Sequence, residues 1–149
     1  MGSGKERQNK MDRSHCYSYF GIEGEDFDPA KVGKALGIKP FKSRKAGQQR
    51  RNGSGAYEFS CFDCVKVKSP QQDVAEQVLK IVRTLTPLIP VLKELKERMG
   101  LKYCIMVVPH IYEEQAPYVW FGSEVVEFCH ETGTEIGMDI YAYDKDDEV

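Results

Sequence analysis

Residues 16–23 alternate at a period of two: Cys16, Ser18, Phe20 and Ile22 fall on one side, Tyr17, Tyr19 and Glu23 on the other. That period predicts a β-strand with one face on a core. A short helix follows. Asp28 caps it, Pro29 takes the first helical position, where a missing N–H costs nothing, and Phe27 and Val32 staple its start. Gly37 supplies the left-handed close and Pro40 forbids continuation. Residues 42–55 have no period and read as a solvated loop with five basic residues and three glycines. Strand character returns from Tyr57 to Val67, with Tyr57, Phe59, Cys61, Val65 and Val67 expected on one face.

Ser69–Pro70 repeats the cap-then-proline signal and opens the longest apolar series, from Val74 through Leu85 and Leu92 to Met99. Its steps alternate between four and three residues, unbroken across Pro87 and Pro90. This predicts one long helical surface, kinked or broken at Thr86–Pro87 and ended by Gly100. Lys102–Val108 is apolar on both sides, as in a strand covered above and below, and Pro109 marks its end or an edge position. Tyr118–Phe121 reads as a short extended piece, and Ser123 starts a small helix that stops at Gly133. The last strand is Thr134–Tyr143, with Ile136, Met138, Ile140 and Ala142 toward the core and Glu135, Asp139, Tyr141 and Tyr143 away from it. The order β-α-β-α-β-α-β predicts an α+β domain of ferredoxin-like character. Helices would pack on one face of a four- to five-stranded sheet, with a long kinked helix in the middle.

The 149-residue length suits one domain. It is expected over residues 15–144, between a polar tail at 1–14, disordered or artificial, and an acidic tail at 145–149. No apolar run approaches the roughly 20 residues that cross a bilayer, and no secretion signal is present. The expected location is cytoplasmic, with no membrane contact. Five cysteines, an odd number in mostly apolar settings, read as reduced structural thiols. Charge is uneven: residues 1–55 carry 12 Lys/Arg against 6 Asp/Glu, and residues 56–149 carry 9 against 17. Such asymmetry steers charged partners.

Candidate chemistry is sparse. Cys61 and Cys64 form a CxxC, but strand residues three apart point to opposite faces unless a bulge intervenes, and no second ligand pair accompanies them. No metal, cofactor or catalytic residue is expected. The histidines suggest no dyad, so an enzyme would need a pairing between elements, such as Cys16 with His130. Glu25, Asp26 and Asp28 read as turn and cap residues. Arg44, Lys45, Arg50 and Arg51 are candidates for contact with an anion or a partner. Tyr17, Tyr19, Asp139, Tyr141 and Tyr143 all point away from the core faces. If the first and last strands neighbour one another, these five form an aromatic-acidic patch. Tyrosine is enriched at protein interfaces; equally, cross-strand aromatic pairs stabilise sheets by about 0.2–1 kcal/mol each.

The stretches Tyr17–Gly24, Asp26–Pro29 and Leu36–Pro40, followed by Ser123–Phe128, Gly133 and Asp139–Tyr141, resemble a bacterial family of domains of unknown function, numbered 4279. The likeness runs from about residue 15 to residue 143. Pro87, Pro90 and the CxxC depart from the family's pattern as it stands here. The resemblance implies an α+β fold and transfers no catalytic residue. By association it adds weight to an immunity or antitoxin type of protein.

The function expected is a non-enzymatic module that binds a protein partner through the open sheet face and flanking loops. One alternative is a small-ligand or nucleic-acid-binding domain, stacking on the tyrosines and clamping phosphates with the basic loop. Another is an enzyme with a Cys–His site.

Overall fold

A computed structural model describes residues 14–69, 72–113 and 115–144. The expectations for residues 1–13 and 145–149 lie outside these. In chain order the elements are β1 (His15–Gly24), α1 (Pro29–Leu36), β2 (Lys42–Arg44), β3 (Ser60–Ser69), α2 (Val74–Leu85), a 3-10 turn (Thr86–Leu88), α3 (Ile89–Met99), β4 (Lys102–Tyr112), α4 (Ser123–Thr132), β5 (Thr134–Met138) and β6 (Tyr141–Tyr143). The fold is α+β, a mixed sheet with helices over one face. The strands run β2-β3-β1-β4-β5, with β6 also on β4. β1 is antiparallel to both its neighbours, whereas β4 pairs with β5 and β6 in parallel.

Local signals act as read in α1. The Asp28 side chain accepts from Ala30 N at 3.0 Å, and Gly37 closes the helix at φ 67°. The proline signal breaks the long helix into α2 and α3 through the 3-10 turn at Thr86–Leu88. The helix begins later than Ser69–Pro70 suggests. Ser69 is still paired with Cys16 in the sheet, and Asp73 caps α2 by accepting from Glu76 N at 3.2 Å. Ser14 is not tail: it is buried, donating to Tyr112 O and accepting from Tyr112 N at 3.0 Å.

Among the described residues the sheet has six strands rather than four or five. One addition is β2, from the start of the basic segment. Beyond it, Gln49 bridges Ala56 antiparallel, and Tyr57 N donates to Gln48 O at 2.9 Å. Residues 42–57 therefore form an ordered hairpin arm, not a structureless loop. The other addition comes from a split in the last strand. Val107 O accepts from Asp139 N at 2.9 Å, so Val107 faces the β5–β6 side. Backbone groups two residues on face the same way, which puts Pro109, with no N–H, toward Asp139–Ile140. The ladder lapses there and resumes with His110 opposite Tyr141. Pro109 thus breaks its neighbour instead of ending its own strand.

Phe20, Ile22, Phe62, Tyr103 and Ile105 on one sheet face meet Val78, Ile81, Leu92 and Phe128 from the helices to make the core. In β3 a bulge changes the phase. Val65 sits at φ 51°, and the register slips by one between Ser18 and Phe20. Phe62 and Cys64 therefore face the core, and the expected inward row of Tyr57, Phe59 and Cys61 does not. Cys61 and Cys64 fall on opposite faces, since the bulge follows Cys64 rather than separating the two. β4 is covered on the helix side; on the other side Val108 is buried, whereas Cys104 and Met106 are half-buried. On the outermost strand Met138 and Ile140 are exposed, against the expectation of core positions.

Candidate functional site

The helices leave the second face of the sheet open, and alternation delivers Tyr17 and Tyr19 from β1 onto it. β6 delivers Tyr141 and Tyr143. These strands are not neighbours as the patch required: β4 lies between them. His110 of β4 bridges the gap. Its ring stacks on His15 at 4.4 Å, on Tyr141 at 4.9 Å and on Tyr143 at 5.9 Å, and approaches Tyr17 at 6.1 Å. Tyr112 stacks on Tyr143 at 4.3 Å. At the other end Tyr17 meets Tyr19 at 6.4 Å, and Tyr19 meets the edge of Phe41 at 5.3 Å. One row of rings thus crosses the sheet. Neither His110 nor Tyr112 was singled out in the sequence. Their signal was the period of two continuing past Pro109.

Asp139, in the break between β5 and β6, accepts from the Tyr141 hydroxyl at 3.1 Å. That bond and the carboxylate's charge hold the Tyr141 phenol above its ordinary pKa. Tyr19 is pushed up to about 12, mainly by burial and then by the charge of Asp63. Lys66 lies over Tyr17 at 4.3 Å and Phe41 at 5.1 Å. Burial and the neighbouring Lys68 lower its pKa.

The Nδ1 of His110 lies 3.0 Å from the Tyr143 hydroxyl. Burial, then the neighbouring His15, depresses the His110 pKa, and Asp139 opposes them. Below the unfolded value near 6.5 the unfolded chain takes up the proton more readily. The contribution of His110 to stability is therefore intact above that pH and is lost as pH falls through the lower, folded pKa. Thermal melts at pH 7.5 and pH 5 should show a smaller drop for His110→Phe, which keeps a ring in the row, than for the parent. Equal drops would remove His110 from the pH response.

Of the basic residues, Arg44 and Arg50 come together: their guanidinium carbons lie 4.7 and 5.4 Å from the centre of the Tyr57 ring. Lys45 and Arg51 are exposed on the arm and do not join them. Beside the ring row, beyond Tyr19, is a trough of about 610 Å³. It is lined by the small side chains of Gly21, Cys61 and Cys104, with Asp63 paired to Gly21 across β1 and β3. Tyr19 and Met106, and Arg44, Arg50 and Tyr57, complete the part of the lining that bears on its chemistry.

The thiols are poor nucleophiles here. Burial raises the pKa of all five, Cys64 to about 12. Cys16 and His130 are not a pair. Cys16 sits opposite Pro109, at one end of the β1–β4 ladder. α4 runs into Thr134, which is opposite Tyr103 near the other end. Six residues of strand, roughly 20 Å, separate those ends.

Among the described residues no helix is long and apolar enough to cross a membrane, and no group of three or more His, Cys, Asp or Glu side chains is placed to hold a metal ion. No curated protein and no solved structure matches the chain significantly. The family described as Domain of unknown function (DUF4279) matches residues 14–143, from the bonded Ser14 to the last stacked tyrosine. The chain belongs to that family.

Proposed function

We propose that this domain is a non-enzymatic protein-binding module whose partner docks on the ring row of the open sheet face. The observation that carries the reading is how the rings stand. His15, His110 and Tyr141, and likewise Tyr112 and Tyr143, are near-parallel, with interplanar angles of 9–11°. Within the row the flat faces are turned toward one another, and Lys66 and Phe41 lie against Tyr17 and Tyr19. A nucleobase needs a free ring face to stack on. This row offers mainly ring edges and hydroxyls, the mixed apolar and hydrogen-bonding surface from which protein interfaces draw their anchors. An immunity-type protein, which neutralises a toxin by covering its active site, is one form of such a module. It needs complementarity and no chemistry.

A photo-crosslinking residue placed at Tyr141 or Tyr19, in lysate of the source organism, should capture one protein that the same residue at Glu97 of α3 does not. Capture at Glu97 alone, or of nucleic acid at Tyr141, contradicts the reading. With the partner in hand, Tyr141→Ala should weaken binding by about 2 kcal/mol or more. It should lower stability by no more than about 1 kcal/mol, the value of a cross-strand pair. Calorimetric titration and thermal melts of the same variant separate the two.

A further inference from the structure

The trough beyond Tyr19 is a second feature of the open face, and the ring row does not account for it. Its volume of about 610 Å³ lies within the roughly 300–1,000 Å³ of small-molecule sites. Its lining is of mixed charge, with Glu23, Glu58, Glu135 and Lys102 also present, and two features stand out. Arg44 and Arg50 are held on the same Tyr57 ring, and among the described residues neither forms an ion pair. Two guanidinium groups held against one ring concentrate positive charge there, and their planar forks suit a carboxylate. Elsewhere in the lining, the Asp63 side chain leans over Gly21, where a Cβ would come within 3.2 Å of its Oδ1. The carboxylate is half-buried, and no described side chain hydrogen-bonds it. Burial raises its pKa, although Lys42 and Arg44 pull the other way. A cationic group delivered to it would relieve that cost.

We propose that the trough binds a small zwitterion of the amino-acid or short-peptide class, its carboxylate at the Arg44–Arg50–Tyr57 cluster and its ammonium group on Asp63. Tyr19 and Met106 in the lining favour an apolar side chain on that ligand. Cys61, opposite Arg44, and Cys104, across Gly21 from Asp63, add neutral thiols to the lining. Gly21 keeps the trough open: any side chain there would compete with Asp63 for space.

The test is calorimetric titration of the full chain with L-leucine, L-phenylalanine and the dipeptide Leu-Leu, with acetate and n-butylamine as single-charge probes. At least one zwitterion should bind saturably below roughly 10 mM, while acetate and butylamine bind more than about tenfold more weakly. Asp63→Asn and the double variant Arg44→Gln/Arg50→Gln should each weaken that binding by about tenfold or more, with thermal melts confirming that both fold. Acetate binding as well as the zwitterions, unchanged affinity in folded Asp63→Asn, or no saturable binding by any of the three overturns the proposal. The crosslinking result at Tyr141 stands or falls separately, because neither variant alters the ring row.

Discussion

Phe20→Ala will remove about 3–5 kcal/mol of stability, the range for deleting a fully buried phenylalanine. In a domain of this size that corresponds to a fall in Tm of about 6–20 °C. Phe20 sits in β1, the middle of the sheet, with no exposed surface. Its ring is 5.4 Å from Tyr103 of β4 and 6.5 Å, edge-on, from Phe128 of α4. One side chain therefore joins the central strands to a helix. The surroundings are poorly able to collapse into the hole, because the Tyr103 hydroxyl is tied to Leu92 O at 2.6 Å. Urea and thermal melts check the value. A loss below about 1 kcal/mol would mean that Tyr103 moves in and that its bond to α3 is soft.

Gln77→Leu should cost about 2–4 kcal/mol although it is close in volume and more apolar. Gln77 lies on the buried face of α2 and is 1% exposed. It accepts from the Ser18 hydroxyl at 2.8 Å and donates to Cys16 O at 2.8 Å and Ser69 Oγ at 2.7 Å. The amide thereby links α2 to β1 and β3 at the last pair of their ladder. Leucine leaves the Ser18 hydroxyl and the Cys16 carbonyl buried without these partners, at about 1–3 kcal/mol each. Adding Ser18→Ala removes one of the two orphans, so the double variant should be more stable than Gln77→Leu alone. Strict additivity in a double-mutant cycle would show that the network contributes nothing as a unit.

Those two residues also mark where the sequence was readable. Phe20 was legible because a strand's alternation is written in consecutive residues. For the same reason the caps and staple of α1 and the proline break near Thr86 could be placed. Gln77 was not legible, since a polar residue inside an apolar helical stripe takes its meaning from Ser18 and Ser69, which only the tertiary fold brings near. The bulge at Val65 is another case. It is a property of the pairing between β3 and β1, and it overturned the expected facing of Cys61 and Phe62. The arm at residues 42–57 lacked a period because its order comes from turns and from pairing with β3.

The candidate site divides the same way. The outward tyrosines of β1 and β6 followed from alternation within their strands. What joins them did not, because strand order is set by long-range contacts. His110 was discounted as one of three scattered histidines, and its role depends on β4 lying between β1 and β6. The trough was also invisible, since Gly21, Cys61, Cys104 and Asp63 come from three strands and are linked only by register.

The antiparallel embrace of β1 by β3 and β4 also governs how the protein is made. β1 leaves the ribosome well before β4, so Ser14 waits for Tyr112, 98 positions later, to close its outer edge. At roughly 5–20 residues per second that interval is roughly 5–20 s. β3 emerges earlier and can shield one edge of the strand. The other edge, with Phe20 and Ile22 beside it, stays open until β4 is synthesised. Throughout that interval the nascent chain therefore carries its central strand half-paired.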